Sequence, residues 1–191
     1  MNTLQSNLVS GYIHKWPQLV SELKDLREEV YPVQVEGLHG SLSVFFLAEY
    51  ISYNKTPVSF VVVPGEREAH DVTVDLKAAN PKLCVKTLPW WGVVPYRPMP
   101  KGSAVFGERA SVLASMASYL QSGKNSVFVI TQRALQTPVP PPDYIRSLLF
   151  SLKVGDAFDP TALAERLALQ GYLRVPRVTV KGEFTLRGEV L

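Results

Sequence analysis

Residues 58–65 carry the apolar run VSFVVVPG. A continuous apolar run of this length is typical of a strand in a sheet that is covered on both faces. Pro64 and Gly65 end the run, because proline has no amide hydrogen for a sheet ladder and both residues favour turns. The stretch therefore predicts a buried strand over Val58–Val63.

The segments around this strand alternate between helix and strand patterns. Apolar residues at helical spacing predict four helices, over residues 16–29, 41–53, 67–79 and 105–120. Short apolar runs predict three further strands, over residues 31–35, 83–88 and 126–130. Alternation at these lengths favours parallel strands joined by right-handed crossovers. We therefore expect an α/β domain with a parallel sheet over residues 1–136.

A change of composition follows at Thr137–Pro142, which holds four prolines in six residues. Such a segment predicts a stiff, extended connector that is neither helix nor central strand. We place a domain boundary there, so that residues 137–191 begin a second domain.

The second domain combines one helix with two strands in the predicted order. Asp159 and Pro160 have the pattern of an N-cap and a first helical residue, and Gly171 ends the helix. Residues 172–180 and 183–191 then predict a hairpin that turns at Lys181 and Gly182. The last strand reaches the C-terminus without a turn, which indicates a partial α+β domain and a chain that is a fragment.

The composition excludes several kinds of protein. Of 191 residues, 46% are hydrophobic and 19% are charged, which is enough for a core and argues against disorder. A single cysteine, Cys84, excludes an internal disulfide, and the three histidines lack metal-ligand spacing, so no metal or cofactor is expected. Without a membrane-span pattern or a signal peptide, we expect a cytoplasmic protein that does not enter the membrane. The net charge of +3 is weak evidence for a nucleic-acid surface.

The segment GLHGSLSV, residues 37–44, lies between a predicted strand and a predicted helix, where a phosphate-binding loop would lie. Aligned on Gly37 and Gly40, the position of the phosphate-binding lysine holds Ser43, and the position of the magnesium-binding hydroxyl holds Val44. Without these two groups nucleotide binding loses its main electrostatic contributions. The segment is either a degenerate phosphate loop or an ordinary turn, and in both cases no working ATP site is expected. No other catalytic motif is present, so we expect no enzyme.

Two further stretches have more than one interpretation. Trp90 and Trp91 lie in an aromatic, proline-rich segment that either packs a long loop onto its own domain or stacks on nucleic-acid bases. The predicted hairpin carries a group of basic residues, which either forms a solvated strand face or binds a partner's carboxylates: Arg174, Arg177, Lys181 and Arg187.

Several motifs, in chain order, resemble one known family. They are Gly37–Val44 with Phe46–Glu49, Pro89–Trp91 with Pro95–Tyr96, Glu108–Arg109 with Leu113, Ala134–Gln136 with Pro140–Pro141, and Gly171–Tyr172 with Gly182–Phe184 and Arg187–Gly188. Over about residues 30–191 the chain resembles the N-terminal module of the bacterial transcription-repair coupling factor, the Mfd translocase. That module is itself similar to the excision-repair helicase UvrB.

The resemblance implies a helicase-like first domain whose nucleotide site has decayed, and a second domain similar to the UvrB surface that docks on UvrA. In that pattern three arginine positions fall on Arg174, Thr185 and Arg187, beside Phe184. Two of the three positions hold arginine, and Thr185 weakens the expected contact.

The implied function is recruitment of UvrA to a stalled RNA polymerase by a chain that is not an enzyme. The parent protein would be an ATP-dependent DNA translocase that contacts RNA polymerase and DNA through other domains. The alternatives are a DNA-binding fragment or a residual nucleotide-binding fragment of a UvrB-like helicase.

Overall fold

The computed structural model describes residues 17–28, 32–55, 57–92, 104–119, 125–188 and 190. The helices in these ranges are α1 (Pro17–Glu28), α2 (Leu42–Asn54), α3 (Glu66–Ala79), α4 (Ala104–Ala117), α5 (Gln132–Leu135), α6 (Pro142–Leu148) and α7 (Pro160–Leu169). The strands are β1 (Val58–Val63), β2 (Cys84–Leu88), β3 (Ser126–Thr131), β4 (Leu173–Arg174) and β5 (Glu183–Phe184).

The chain forms two compact units. One contains described residues of 1–87 and 119–132, and the other contains described residues of 88–118 and 133–191. Since α4 groups with residues 133–191, these units do not follow chain order. The domain boundary at residue 137 stays a prediction.

The first unit contains a sheet in the order β1-β3-β2. β1 and β3 are parallel, with Val58 opposite Ser126 and Val63 opposite Thr131. Every residue of β3 is buried, as expected of a central strand. The prediction of an α/β unit with parallel strands is confirmed.

The core of the first unit lies between this sheet and the helices α2 and α3. Apolar side chains of the helices pack against β1, β2 and β3. The buried members of the cluster are Val44, Ala48, Ile51, Val63, Ala69, Leu76, Ala79, Leu83, Val85, Val127 and Val129. The sequence therefore predicted both helices, and the structure shows which of their residues face the sheet.

One face of β1 is not covered in this chain. Val63 is buried, whereas Phe60 is 59% exposed and Val62 is 49% exposed. The expectation that both faces of this strand are covered is therefore wrong. The reason is the position of β1 in the sheet. β1 lies at one end of the strand order, whereas β3 is the central strand and all of its residues are buried.

The predicted strand over residues 31–35 is also wrong for its described part. Residues 32–36 form no strand, and Val35 and Glu36 are exposed. Pro32 has no amide hydrogen to give to a neighbouring strand. The loop at residues 37–41 is therefore not preceded by a strand.

The second unit contains α4, α6, α7 and the short strands β4 and β5. Asp159 caps α7 as predicted, since its carboxylate accepts a hydrogen bond from the Thr161 amide at 2.8 Å. The connector is extended only up to Pro141, because Pro142 begins α6, a helix that the sequence interpretation missed. Proline is tolerated at the first position of a helix, where its missing amide costs no bond.

The predicted hairpin is wrong. β4 and β5 are parallel, with Leu173 opposite Glu183 and Arg174 opposite Phe184. The Leu173 amide donates to the Gly182 carbonyl at 2.8 Å, and the Val175 amide donates to the Phe184 carbonyl at 2.9 Å. The residues between the strands thus return the chain to the start of β4 instead of making a tight reversal.

Candidate functional site

A small pocket in the second unit brings together the three positions that the family pattern marks. It has a volume of about 370 Å³, and we call it the arginine pocket. Its lining residues come from the ends of β4 and β5: Arg174, Val175, Pro176, Thr185, Leu186 and Arg187. Sequence positions eleven to thirteen residues apart meet here because the two strands run side by side.

Phe184, the residue before Thr185, supports the arginine pocket from the interior of the unit. Its side chain is only 6% exposed, so the ring belongs to the interior of the unit and is not presented at the surface. Arg174 lies opposite Phe184 in the strand register. Thr185, the residue after β5, is half-buried.

The two arginines of the pocket carry uncompensated charge. Arg187 donates from Nη2 to the Pro176 carbonyl at 2.6 Å, which holds its side chain across the pocket. Both Arg174 and Arg187 are exposed, and neither pairs with a carboxylate in the described ranges. Exposed guanidinium groups held by neutral partners are available for bidentate recognition of carboxylates.

Glu183 forms no ion pair with these arginines in the described ranges, and its carboxylate binds the preceding turn. Oε2 accepts hydrogen bonds from the Thr179 amide at 2.8 Å, the Thr179 hydroxyl at 3.0 Å and the Val180 amide at 3.2 Å. The bond from the Thr179 amide is the main reason why the pKa of Glu183 lies below its ordinary value. Ionised Glu183 therefore holds the turn that leads into β5.

The turn also packs tightly on α4. A Cβ atom at Gly107 would fall on the backbone of Lys181, so only a glycine in α4 allows the turn to lie where it does. Gly182 has a φ of +91° and its own Cβ position is 3.2 Å from the Gly107 Cα. These two glycines fix the start of β5 against the helix.

Phe106 is the side chain around which this contact is organised. Its ring stacks on Trp91 at a centroid distance of 6.5 Å and meets Tyr172 edge-on at 6.0 Å. Gly171, with a φ of +93°, leaves room for the same ring, since a Cβ there would be 2.9 Å from Phe106 Cζ. Aromatic packing thus ties the end of α7 to α4.

The aromatic segment at Trp90 and Trp91 packs within its own unit. The Arg109 guanidinium lies 4.7 Å from the Trp91 ring centroid, and the Arg133 guanidinium lies 5.2 Å from that of Trp90. The packing interpretation is confirmed for these two residues. Pro95 and Tyr96 lie outside the described residues.

The segment over residues 37–44 is a turn that leads into α2. Gly37 and Gly40 have φ values of +79° and +58°. The Ser43 hydroxyl donates to the Gly40 carbonyl at 2.9 Å. The Val44 side chain is 7% exposed and lies in the core.

The backbone amides of this turn are already used. The Leu42 amide donates to the His39 carbonyl at 3.3 Å, and the Val44 and Phe45 amides donate to the Ser41 carbonyl at 3.1 and 3.0 Å. A phosphate-binding loop needs such amides to point at the ligand. That the turn descends from a phosphate loop stays a prediction.

Three further residues, one cysteine and two histidines, belong to the first unit. Cys84 is half-buried in β2, and His39 and His70 are exposed. The described residues hold no group of three or more His, Cys, Asp or Glu side chains that could bind a metal ion. Nor is any helix described here both long enough and apolar enough to cross a membrane.

Sequence reasoning missed two features of the second unit. Arg109 was quoted only as part of a family motif, although its side chain is 1% exposed. Nothing in the local sequence assigns a role to Glu183, which accepts three hydrogen bonds from the turn. The single signal for the second feature was the Lys181–Gly182 turn that precedes it.

Comparison with known proteins gives one consistent result. No family model matches the chain. A transcription-repair-coupling factor of Myxococcus xanthus is 30% identical over 179 residues, which cover 91% of this chain and 14% of the relative. Proteins of the same name from Bacillus subtilis and Borreliella burgdorferi are 24% and 20% identical, over 96% and 90% of this chain. The chain spans about 15% of the length of these last two relatives.

We expect Gly107→Ala to destabilise the second unit by about 1–3 kcal/mol, because the new methyl group would collide with the backbone of Lys181. An unobstructed glycine-to-alanine change within a helix would instead stabilise by about 0.5–1 kcal/mol. Urea unfolding followed by tryptophan fluorescence measures the difference. Ser111→Ala, in the same helix, is the matched control and should change stability by less than about 0.5 kcal/mol. A Gly107→Ala protein as stable as the parent would contradict the close packing.

We expect the turn before β5 to loosen when the pH falls through the pKa of Glu183. Because the pKa is lowered in the folded chain, the stabilisation is present above the ordinary glutamate value of about 4.3 and is lost as the pH falls below it. Hydrogen exchange at the Thr179 and Val180 amides, corrected for intrinsic rates, measures the loosening. Glu183→Gln should remove the pH dependence, whereas Glu165→Gln on the exposed side of α7 should keep it.

Proposed function

Because the chain is related to a region of the bacterial transcription-repair-coupling factors, we propose that it is a recruitment module that binds the excision-repair protein UvrA. In the parent protein this would bring UvrA to a stalled RNA polymerase. Contacts with RNA polymerase and DNA would belong to other regions of that protein, and the setting would be the cytoplasm.

The arginine pocket carries this proposal. Arg174 and Arg187 meet at one pocket, are exposed, and lack carboxylate partners in the described ranges. A partner that offers aspartate or glutamate side chains would gain charge-assisted hydrogen bonds there. Thr185 lines the same pocket, so the third position of the family pattern is in place but without its charge.

We further propose that the chain is not an enzyme and binds no nucleotide. The buried Val44 side chain and the internally bonded amides of Leu42, Val44 and Phe45 support this, since they offer no group to a phosphate or to magnesium. A DNA-binding role through Trp90 and Trp91 is less well supported, because each ring is covered by an arginine of its own unit.

We expect the Arg174→Ala/Arg187→Ala double variant to lose binding to purified UvrA by about 2–5 kcal/mol, because both guanidinium groups would leave the pocket. Isothermal titration calorimetry measures the affinity, and circular dichroism shows that both proteins are folded. Arg177→Ala is the matched control, since Arg177 is exposed on the same segment but does not line the pocket.

Two results would count against this assignment. Equal loss in Arg177→Ala would mean that general charge, and not the pocket, drives binding. Full binding by the double variant would keep the partner but reject the site. Thr185→Arg gives an independent check, because it restores the third arginine of the family pattern and should increase the affinity.

We expect that ATP with magnesium does not bind at concentrations up to about 1 mM. A dissociation constant of about 1 mM corresponds to a binding free energy of only about 4 kcal/mol. The reason is the absence of a lysine and of a magnesium-binding hydroxyl at positions 43 and 44. Thermal unfolding measures this, because a ligand that binds the folded state raises the midpoint. A saturable, magnesium-dependent rise would instead support the nucleotide-binding alternative.

A further inference from the structure

The second unit contains a large cleft that the proposed function does not use. It has a volume of about 1180 Å³ and lies among α4, α6, α7 and the turn before β5. Exposed apolar side chains line it, among them Tyr144 at 56% and Leu149 at 44% exposure. We call it the α4 cleft.

Arg109 lines the α4 cleft and is almost completely buried. Its side chain is 1% exposed, the largest among the fully buried side chains of the described residues. Nη1 donates to the Pro89 carbonyl, and the guanidinium lies over the Trp91 ring. Nε has no hydrogen-bond acceptor.

A buried guanidinium without an anion is an unfavourable arrangement. Neither the Pro89 carbonyl nor the Trp91 ring carries a negative charge, and Arg109 forms no ion pair in the described part of the chain. Burial also lowers the pKa of Arg109. Buried charges in proteins are normally paired, since an unpaired one keeps its desolvation penalty.

Besides Arg109, the charged residues that line the α4 cleft are two cations and one carboxylate. Arg166, which covers the Phe150 ring at 4.5 Å, and Lys181 also line it. The acidic residue in the lining is Glu183, whose carboxylate is occupied by the turn. The cleft is therefore apolar and cationic, with its most buried cation unpaired.

We propose that the α4 cleft binds an acidic peptide segment of a partner protein, in which an aspartate or glutamate side chain pairs with Arg109 and adjacent apolar side chains cover Tyr144 and Leu149. The carboxylate would enter from the cleft that Arg109 lines. A nucleic acid fits less well, because the Trp91 and Phe106 rings, which could stack on bases, already stack on each other.

The test uses an array of short peptides in matched pairs, in which each acidic peptide with neighbouring Phe or Leu has a partner with Asn or Gln in place of Asp or Glu. The best pair is then measured by fluorescence anisotropy. We expect the acidic member to bind the parent chain and the amide member to bind at least about tenfold more weakly, the loss of one charge-assisted contact.

Arg109→Met separates a binding role from a structural one. If the unpaired charge is there for a ligand, the variant should bind the acidic peptide about thirtyfold more weakly and unfold no more easily than the parent, because an apolar side chain replaces an unpaired buried cation. Leu149→Glu gives a second variant on an exposed residue, where a negative charge at the cleft should also weaken binding. Arg174→Ala/Arg187→Ala should leave it unchanged, which distinguishes this cleft from the arginine pocket.

Four results would overturn the proposal. The first is equal binding of the acidic and the amide peptides, and the second is unchanged binding by Arg109→Met and Leu149→Glu. The third is binding of oligothymidine without binding of any acidic peptide. The fourth is that the folded parent binds no peptide.

Discussion

The close contact between α4 and the turn before β5 is the constraint on which the arginine pocket depends. Gly107 lets the backbone of Lys181 and Gly182 lie directly on the helix, and the Phe106 ring fills the space beside it. This contact fixes where β5 begins, and the pairing of β5 with β4 then fixes which side chains meet. A site built from two-residue strands needs such an external support, because so few ladder hydrogen bonds cannot hold it alone.

Whether a charge of the second unit is available to a ligand depends on its hydrogen-bond partners and not on the number of charges. Glu183 is bound to amides of its own turn, so it does not offset the nearby arginines. Arg187 is held by the neutral Pro176 carbonyl, and Arg109 by the neutral Pro89 carbonyl. Cations with neutral partners keep their charge available for a ligand, which connects the exposed pocket and the buried cleft by the same physical principle.

The turn at residues 37–44 is held by its own backbone and by the core of the first unit. Val44 contributes to that core, and the Ser43 hydroxyl donates to the Gly40 carbonyl. Both contacts lie at the start of α2. Gly37 and Gly40 have positive φ values, a backbone conformation that favours glycine.

The sequence by itself determined the helices α1 to α4 and α7, the strands β1 to β3 and the cap of α7, since apolar periodicity, apolar runs and an Asp-Pro pair are local signals. It also indicated the family and the positions of Arg174, Thr185 and Arg187. Only the tertiary structure decided that β4 and β5 are parallel, that Phe60 is exposed at a sheet edge, and that Arg109 is buried without an anion. A strand of two residues is too short to show an alternating apolar pattern. The order of the strands and the partners of a buried charge cannot be deduced from neighbouring residues. These features arise from contacts between segments far apart in the chain, such as Gly107 with Lys181.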